Sequence, residues 1–69
     1  MIDKKHAMKL ERAFNSFRRV AAELDAVDLL EHVLAEDVER IVYHGPRDRE
    51  AIARRILLAM RERSGADGN

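Results

Sequence analysis

The chain has no cysteine and no tryptophan, and its aromatic residues are Phe14, Phe17 and Tyr43 alone. Without cysteine, neither a disulfide nor a thiolate metal site can reinforce the fold. The core must therefore be built from aliphatic side chains, which bury less area per residue than aromatic ones. A core of this kind is barely sufficient for 69 residues, and a second copy of the chain is the remaining way to complete it. We expect one domain over residues 1–69 that forms a homodimer.

Threonine and glutamine are also missing, and the chain has only three glycines and one proline. Ala, Leu, Glu and Arg dominate, and these residues favour helix. Apolar residues never alternate over a length that would indicate a strand. There is no run of about 18 apolar residues that would span a membrane, and the N-terminus lacks the apolar segment of a secretory signal. We expect an all-α cytoplasmic protein with no membrane partner.

The first two helices are predicted from apolar spacing and from capping residues. The first should cover residues 4–24, with Asp3 as its N-cap, and the second residues 26–43, with Asp25 as its N-cap. An aspartate in this position accepts a hydrogen bond from an amide of the first turn. Because no glycine or proline marks the break, a single long helix that bends here is the alternative.

His44-Gly45-Pro46 is the clearest break in the chain. Glycine can take the left-handed conformation that ends a helix, and proline cannot continue one. A third helix should follow over residues 48–63, with Asp48 as its N-cap. The polar residues 64–69 should form a frayed tail. Three amphipathic helices therefore make a small bundle.

Apolar residues at helical spacing define the expected core and dimer contact. On the first helix they alternate by three and four, which is the heptad spacing of a narrow seam. The opposite face carries Lys5, Lys9, Arg12, Ser16 and Arg19. The residues assigned to the core or to the dimer contact are Leu10, Phe14, Phe17, Leu30, Leu34, Ile41, Ile52 and Ile56. Of these, Phe14 and Leu34 in particular should be buried.

The net charge is zero, but the charges lie in blocks along the chain. Residues 1–20 carry a net +4, residues 21–40 a net −6 and residues 41–63 a net +3, and Asp67 brings the sum to zero. An acidic helix between two basic ones can neutralise them, within one chain or across a dimer. Basic residues that are neutralised internally are weak evidence for nucleic-acid binding.

No residue pattern points to catalysis or to a cofactor. The hydroxyl groups are those of Ser16, Ser64 and Tyr43, and none belongs to a nucleophile motif. No glycine-rich turn precedes a helix, so a phosphate-binding loop is not indicated. A domain of this size also lacks a cleft for a typical substrate. We expect no enzymatic activity and no cofactor.

A metal site on the second helix is a weaker alternative. Asp28, His32 and Glu36 recur every four residues and would share one helical face, with Glu39 beside them, in a geometry suited to metal ligands. The paired Glu-x-x-His pattern on facing helices is missing. An exposed acidic face is the simpler interpretation, and we expect no metal.

Two binding functions remain. The second and third helices with their short turn resemble a helix-turn-helix, but Asp48 and Glu50 would repel phosphate from its first turn. A small DNA-binding regulator is therefore the alternative. Protein binding is favoured, because apolar surface in excess of one core marks an interface. The candidate partner-binding residues are Lys5, Lys9, Arg12, Arg19 and Leu58, the last of which lies off the apolar face of its helix.

In length, Arg- and Ala-rich composition and helical character, the whole chain resembles the small phage-encoded anti-activator proteins of the Pseudomonas phage quorum-sensing type. No motif is matched residue by residue, so the resemblance assigns no functional residues. It implies a small dimer that binds and inhibits a larger protein, such as a host transcriptional regulator.

Overall fold

The computed structural model describes the backbone of residues 3–67 and the side chains of residues 3–63, and this part of the chain is all-α, as predicted. Its elements are α1 (Lys4–Glu23), a 3₁₀ helix (Val27–His32), α2 (Ala35–Ile41) and α3 (Pro46–Asp67). None of the helices in these residues combines the length and the apolar content needed to cross a membrane.

The end of α1 is a genuine break, but Asp25 does not cap the element that follows. The helix has Asp3 as its N-cap, with the carboxylate accepting from the Lys5 amide at 3.1 Å. At its other end Asp25 takes a left-handed conformation with φ of 54°. The Ala26 amide donates to the Ala21 carbonyl at 2.8 Å, which is the Schellman arrangement that satisfies the last carbonyls of a helix. The expected N-cap is therefore a C-terminal turn residue.

The expected helix over residues 26–43 is divided in two, which corrects the sequence prediction. Val33 and Leu34 are extended and separate the 3₁₀ helix from α2. The Leu34 amide donates to the Asp37 carboxylate at 3.0 Å. This bond is one half of a capping box, and it gives α2 an N-terminus of its own where a continuous helix was expected.

The third helix begins earlier and ends later than predicted. Pro46 rather than Asp48 starts α3, and the Arg49 amide donates to the Gly45 carbonyl at 2.9 Å. Proline suits the first position of a helix because its missing amide hydrogen would have no partner there. The helix continues to Asp67 through most of the expected tail, since one glycine costs only about 1 kcal/mol inside a helix. Gly68 and Asn69 lie outside the described residues.

The helices run up, down and up around one core. Arg61 donates to the Leu24 carbonyl at 3.3 Å, so α3 runs parallel to α1, while His6 and Glu39 meet at 3.0 Å, so α2 runs antiparallel to both. The largest fully buried side chains are Phe17, Val20, Ile41, Val42 and Leu57. Small buried residues, Ala13, Ala21 and Ala53, fill the space between them.

The buried face of α1 is rotated from the expected seam. Ser16, expected on the outer face, is 6% exposed, and its hydroxyl donates to the Arg12 carbonyl at 3.2 Å. This local bond satisfies the hydroxyl, which allows serine to sit among apolar neighbours. Phe14 is only half-buried. Leu34, expected in the core, is 56% exposed because the break before α2 turns it outward.

The other residues assigned to the core or dimer contact lie in or against the core. Phe17 and Ile41 are fully buried and are therefore unavailable to a second chain. The four that are partly buried and pack against the core are Leu10, Leu30, Ile52 and Ile56.

Candidate functional site

A shallow apolar groove, here called the α1–α2 groove, lies between these two antiparallel helices. It encloses about 350 Å³. Its lining residues are Leu10, Glu11 and Phe14 on α1 and Ala35, Val38 and Glu39 on α2. Ala35, at the start of α2, is exposed, and the ring of Phe14 is half-buried.

The rim of the α1–α2 groove is acidic. Glu11 is exposed. Glu39 lies 3.0 Å from His6, and both side chains are well exposed to solvent. The exposed Arg18 guanidinium lies over the Phe14 ring, 5.0 Å from its centre. An apolar floor between two glutamates suits a partner with apolar anchors and basic flanks.

A second groove, here called the α2–α3 groove, lies on the other side of α2. It encloses about 540 Å³. Its apolar residues are Leu29, Leu34, Ile56, Ala59 and Met60. Its polar residues are His32, Asp37, Arg40 and Arg63, so its rim carries both signs of charge.

The four basic candidates on α1 are exposed, but they flank the buried face instead of lying opposite to it. They were expected opposite the buried face, but that face is rotated toward Ser16, which brings it closer to them. Arg19 pairs with Glu50 of α3 at 3.3 Å, and the Lys9 amine lies 5.3 Å above the ring of Tyr43. Lys5 and Arg12 are exposed on the same side of the helix.

Leu58 is half-buried instead of protruding. It lies on α3 between Arg54, which binds Glu23, and Arg61, which donates to the Leu24 carbonyl. It therefore belongs to the edge of the α1–α3 contact. It lines neither groove.

We expected the basic residues of the first and third helices to neutralise the acidic residues 21–40. The structure shows this only in part. In the described side chains, two arginine–glutamate ion pairs, Arg19–Glu50 and Arg54–Glu23, join α1 to α3. A hydrogen bond between His6 and Glu39 joins α1 to α2. Asp28, Glu31 and Glu36 are exposed to solvent. Basic α1 and basic α3 therefore meet each other directly, each supplying acidic partners to the other.

The break before α2 also separates the residues considered for a metal site. Asp28 and His32 belong to the 3₁₀ helix, whereas Glu36 lies in α2. Within the described residues no three His, Cys, Asp or Glu side chains are grouped closely enough to hold a metal ion.

Three arginines of α3 donate hydrogen bonds to other groups of the chain. They are therefore less available to DNA than a helix-turn-helix would require. Arg49 donates to the His44 carbonyl, Arg54 to Glu23 and Arg61 to the Leu24 carbonyl. The helix before the turn, α2, has only seven residues. Arg47 and Arg55 are exposed.

No protein-family model matches this chain, and no curated protein or solved structure matches it significantly. The functional argument depends on the two grooves and on the charges around them. Of these residues, sequence periodicity identified Leu10, Phe14, Leu34 and Ile56. It missed Ala35, because an alanine that leaves a gap has no signature in the sequence.

Proposed function

We propose that this chain is a non-enzymatic regulatory protein that binds and modulates a larger protein through the α1–α2 groove. The apolar floor of that groove between two glutamates carries the proposal. Apolar surface exposed on a strongly charged protein marks a contact site. Leu10 and Phe14 lie one helical turn apart, which matches the spacing of apolar anchors on an amphipathic helix.

The partner segment should carry basic residues beside its apolar anchors, because Glu11 and Glu39 border the groove. Such charges mainly raise the association rate and exclude partners with acidic flanks. The resemblance to phage anti-activator proteins suggests a transcriptional regulator of the host as the larger protein. Inhibition would follow if the bound segment is one that the regulator needs for its own activity.

DNA binding is the alternative, and the charges of α3 weigh against it. Arg49, Arg54 and Arg61 are engaged within the chain. Asp48 lies in the first turn of α3, where a carboxylate would repel the phosphate backbone. Free arginines alone give non-specific attraction to nucleic acid without base recognition.

Two matched lysine substitutions test the proposal. Ala35 lines the α1–α2 groove, whereas Ala51 is exposed on α3 and lines neither groove. Proteins captured from the native cell by the wild-type chain should be lost with Ala35→Lys and retained with Ala51→Lys. The captured protein is then purified and its direct binding measured, since capture alone does not show contact.

The same chain is tested against a pool of duplex DNA at about 0.15 M salt. Saturable, strongly salt-dependent DNA binding would contradict the proposal if it were lost when Lys5, Lys9, Arg12 and Arg19 are replaced by glutamine. Equal capture of the purified partner by both lysine variants would also contradict it.

A further inference from the structure

The α2–α3 groove leaves one face of α3 without a neighbour. Ile56, Ala59, Met60 and Arg63 recur at intervals of three and four, so they form a stripe along that helix. Ile56 and Met60 touch the core on one side and are partly exposed on the other. Leu34 borders the same groove with 56% of its surface exposed. The groove therefore has both an apolar recess and an apolar projection beside it.

The rim of this groove carries one carboxylate and two guanidinium groups. Asp37 and Arg40 lie on α2, and Arg63 lies across the groove on α3. A twofold contact brings one surface against a copy of itself. When a rim carries charges of both signs, the carboxylate of one copy can pair with an arginine of the other copy across the twofold axis. The acidic rim of the α1–α2 groove would instead bring like charges together, which disfavours self-association there.

We propose that a second copy of this chain occupies the α2–α3 groove in a twofold homodimer. In each copy Leu34 enters the recess formed by Ile56 and Met60 of the other copy, and the rim aspartate faces the rim arginines across the axis. Of the residues assigned to the core or to the dimer contact, this uses Leu34 and Ile56 and not Phe17, which is fully buried within the chain. The α1–α2 groove stays free, so the dimer can bind two partner segments.

The test uses a third alanine, Ala59, which is exposed and lines the α2–α3 groove. Light scattering at micromolar concentration should give twice the chain mass of 7.9 kDa for the wild type. Ala59→Lys should give the monomer mass, while Ala35→Lys and Ala51→Lys remain dimeric. Circular dichroism establishes that each variant is folded.

A second pair of variants covers the case in which Ala59→Lys does not fold. Arg63→Glu should weaken the dimer at least about tenfold, because it removes a rim charge of the required sign. Arg55→Glu makes the same change at an exposed α3 position outside the groove and should leave the dimer intact.

A wild-type monomer would overturn the proposal, as would a dimer broken by Ala35→Lys and not by the groove variants. Partner binding is assigned to the α1–α2 groove. A result that contradicts the dimer therefore does not contradict the proposed function, which has a separate test.

Discussion

Two phenylalanines on α1 show how burial at single positions determines their roles. Phe17 is fully buried in the core, whereas Phe14 is half-buried beside the α1–α2 groove with Arg18 stacked on its ring. The two side chains are chemically identical and three residues apart on one helix. Their difference in burial should therefore separate a stability role from a binding role.

Phe17→Ala should lower the free energy of unfolding by about 3–5 kcal/mol, because it leaves a cavity in the core. Phe14→Ala should lower it by less than about 2 kcal/mol, since a half-buried ring loses less apolar contact. Urea unfolding of both variants at one protein concentration measures the difference. Equal losses would show that Phe14 is part of the core and not part of an open groove.

Asp25 occupies a backbone conformation that favours glycine. Its φ of 54° lies in the left-handed region, which costs roughly 1–2 kcal/mol for residues with a Cβ, though less for aspartate than for most. Asp25→Gly should therefore raise the free energy of unfolding by up to about 1 kcal/mol after the entropy of glycine in the unfolded chain is included. Asp25→Ala is the matched control and should lower it. A glycine variant less stable than the alanine variant would rule out this explanation of the turn.

At the scale of elements, periodicity predicts helix well but not where one helix gives way to another. The bounds of α1 follow from Asp3 and from the apolar spacing, whereas at the break before α2 the Leu34 amide donates to Asp37, a contact that apolar spacing does not indicate. Leu34 fits the apolar stripe of a continuous helix, so its spacing gave no sign of the break. The grooves could not be predicted for the same reason, because both depend on where α2 begins.

Asp37→Ala should destabilise α2 by about 1–2 kcal/mol, since it removes both the acceptor of the Leu34 amide and a carboxylate near the helix N-terminus. Glu36→Ala is the control, because this exposed first-turn acid makes only the second contribution. Hydrogen exchange at the Leu34 amide should accelerate in the Asp37 variant and change little in the Glu36 variant. Similar exchange in both would mean that the bond does not determine the start of α2.

For the whole molecule, α2 separates two apolar grooves with different rims. Acidic residues border the α1–α2 groove, and residues of both signs border the α2–α3 groove. The first rim favours a different, basic partner and the second favours a copy of the chain. The proposed dimer would cover the α2–α3 groove and leave the α1–α2 groove open to the proposed larger protein.

The affinity of the purified partner for the wild-type chain, Ala35→Lys and Ala51→Lys tests the protein-binding function most directly. Isothermal titration calorimetry at about 0.15 M salt gives the three dissociation constants. Ala35→Lys should weaken binding at least about tenfold, equivalent to 1.4 kcal/mol, because the lysine blocks an apolar groove and repels a basic segment. Ala51→Lys should leave the constant unchanged. Equal affinity for all three proteins would contradict a partner site in the α1–α2 groove.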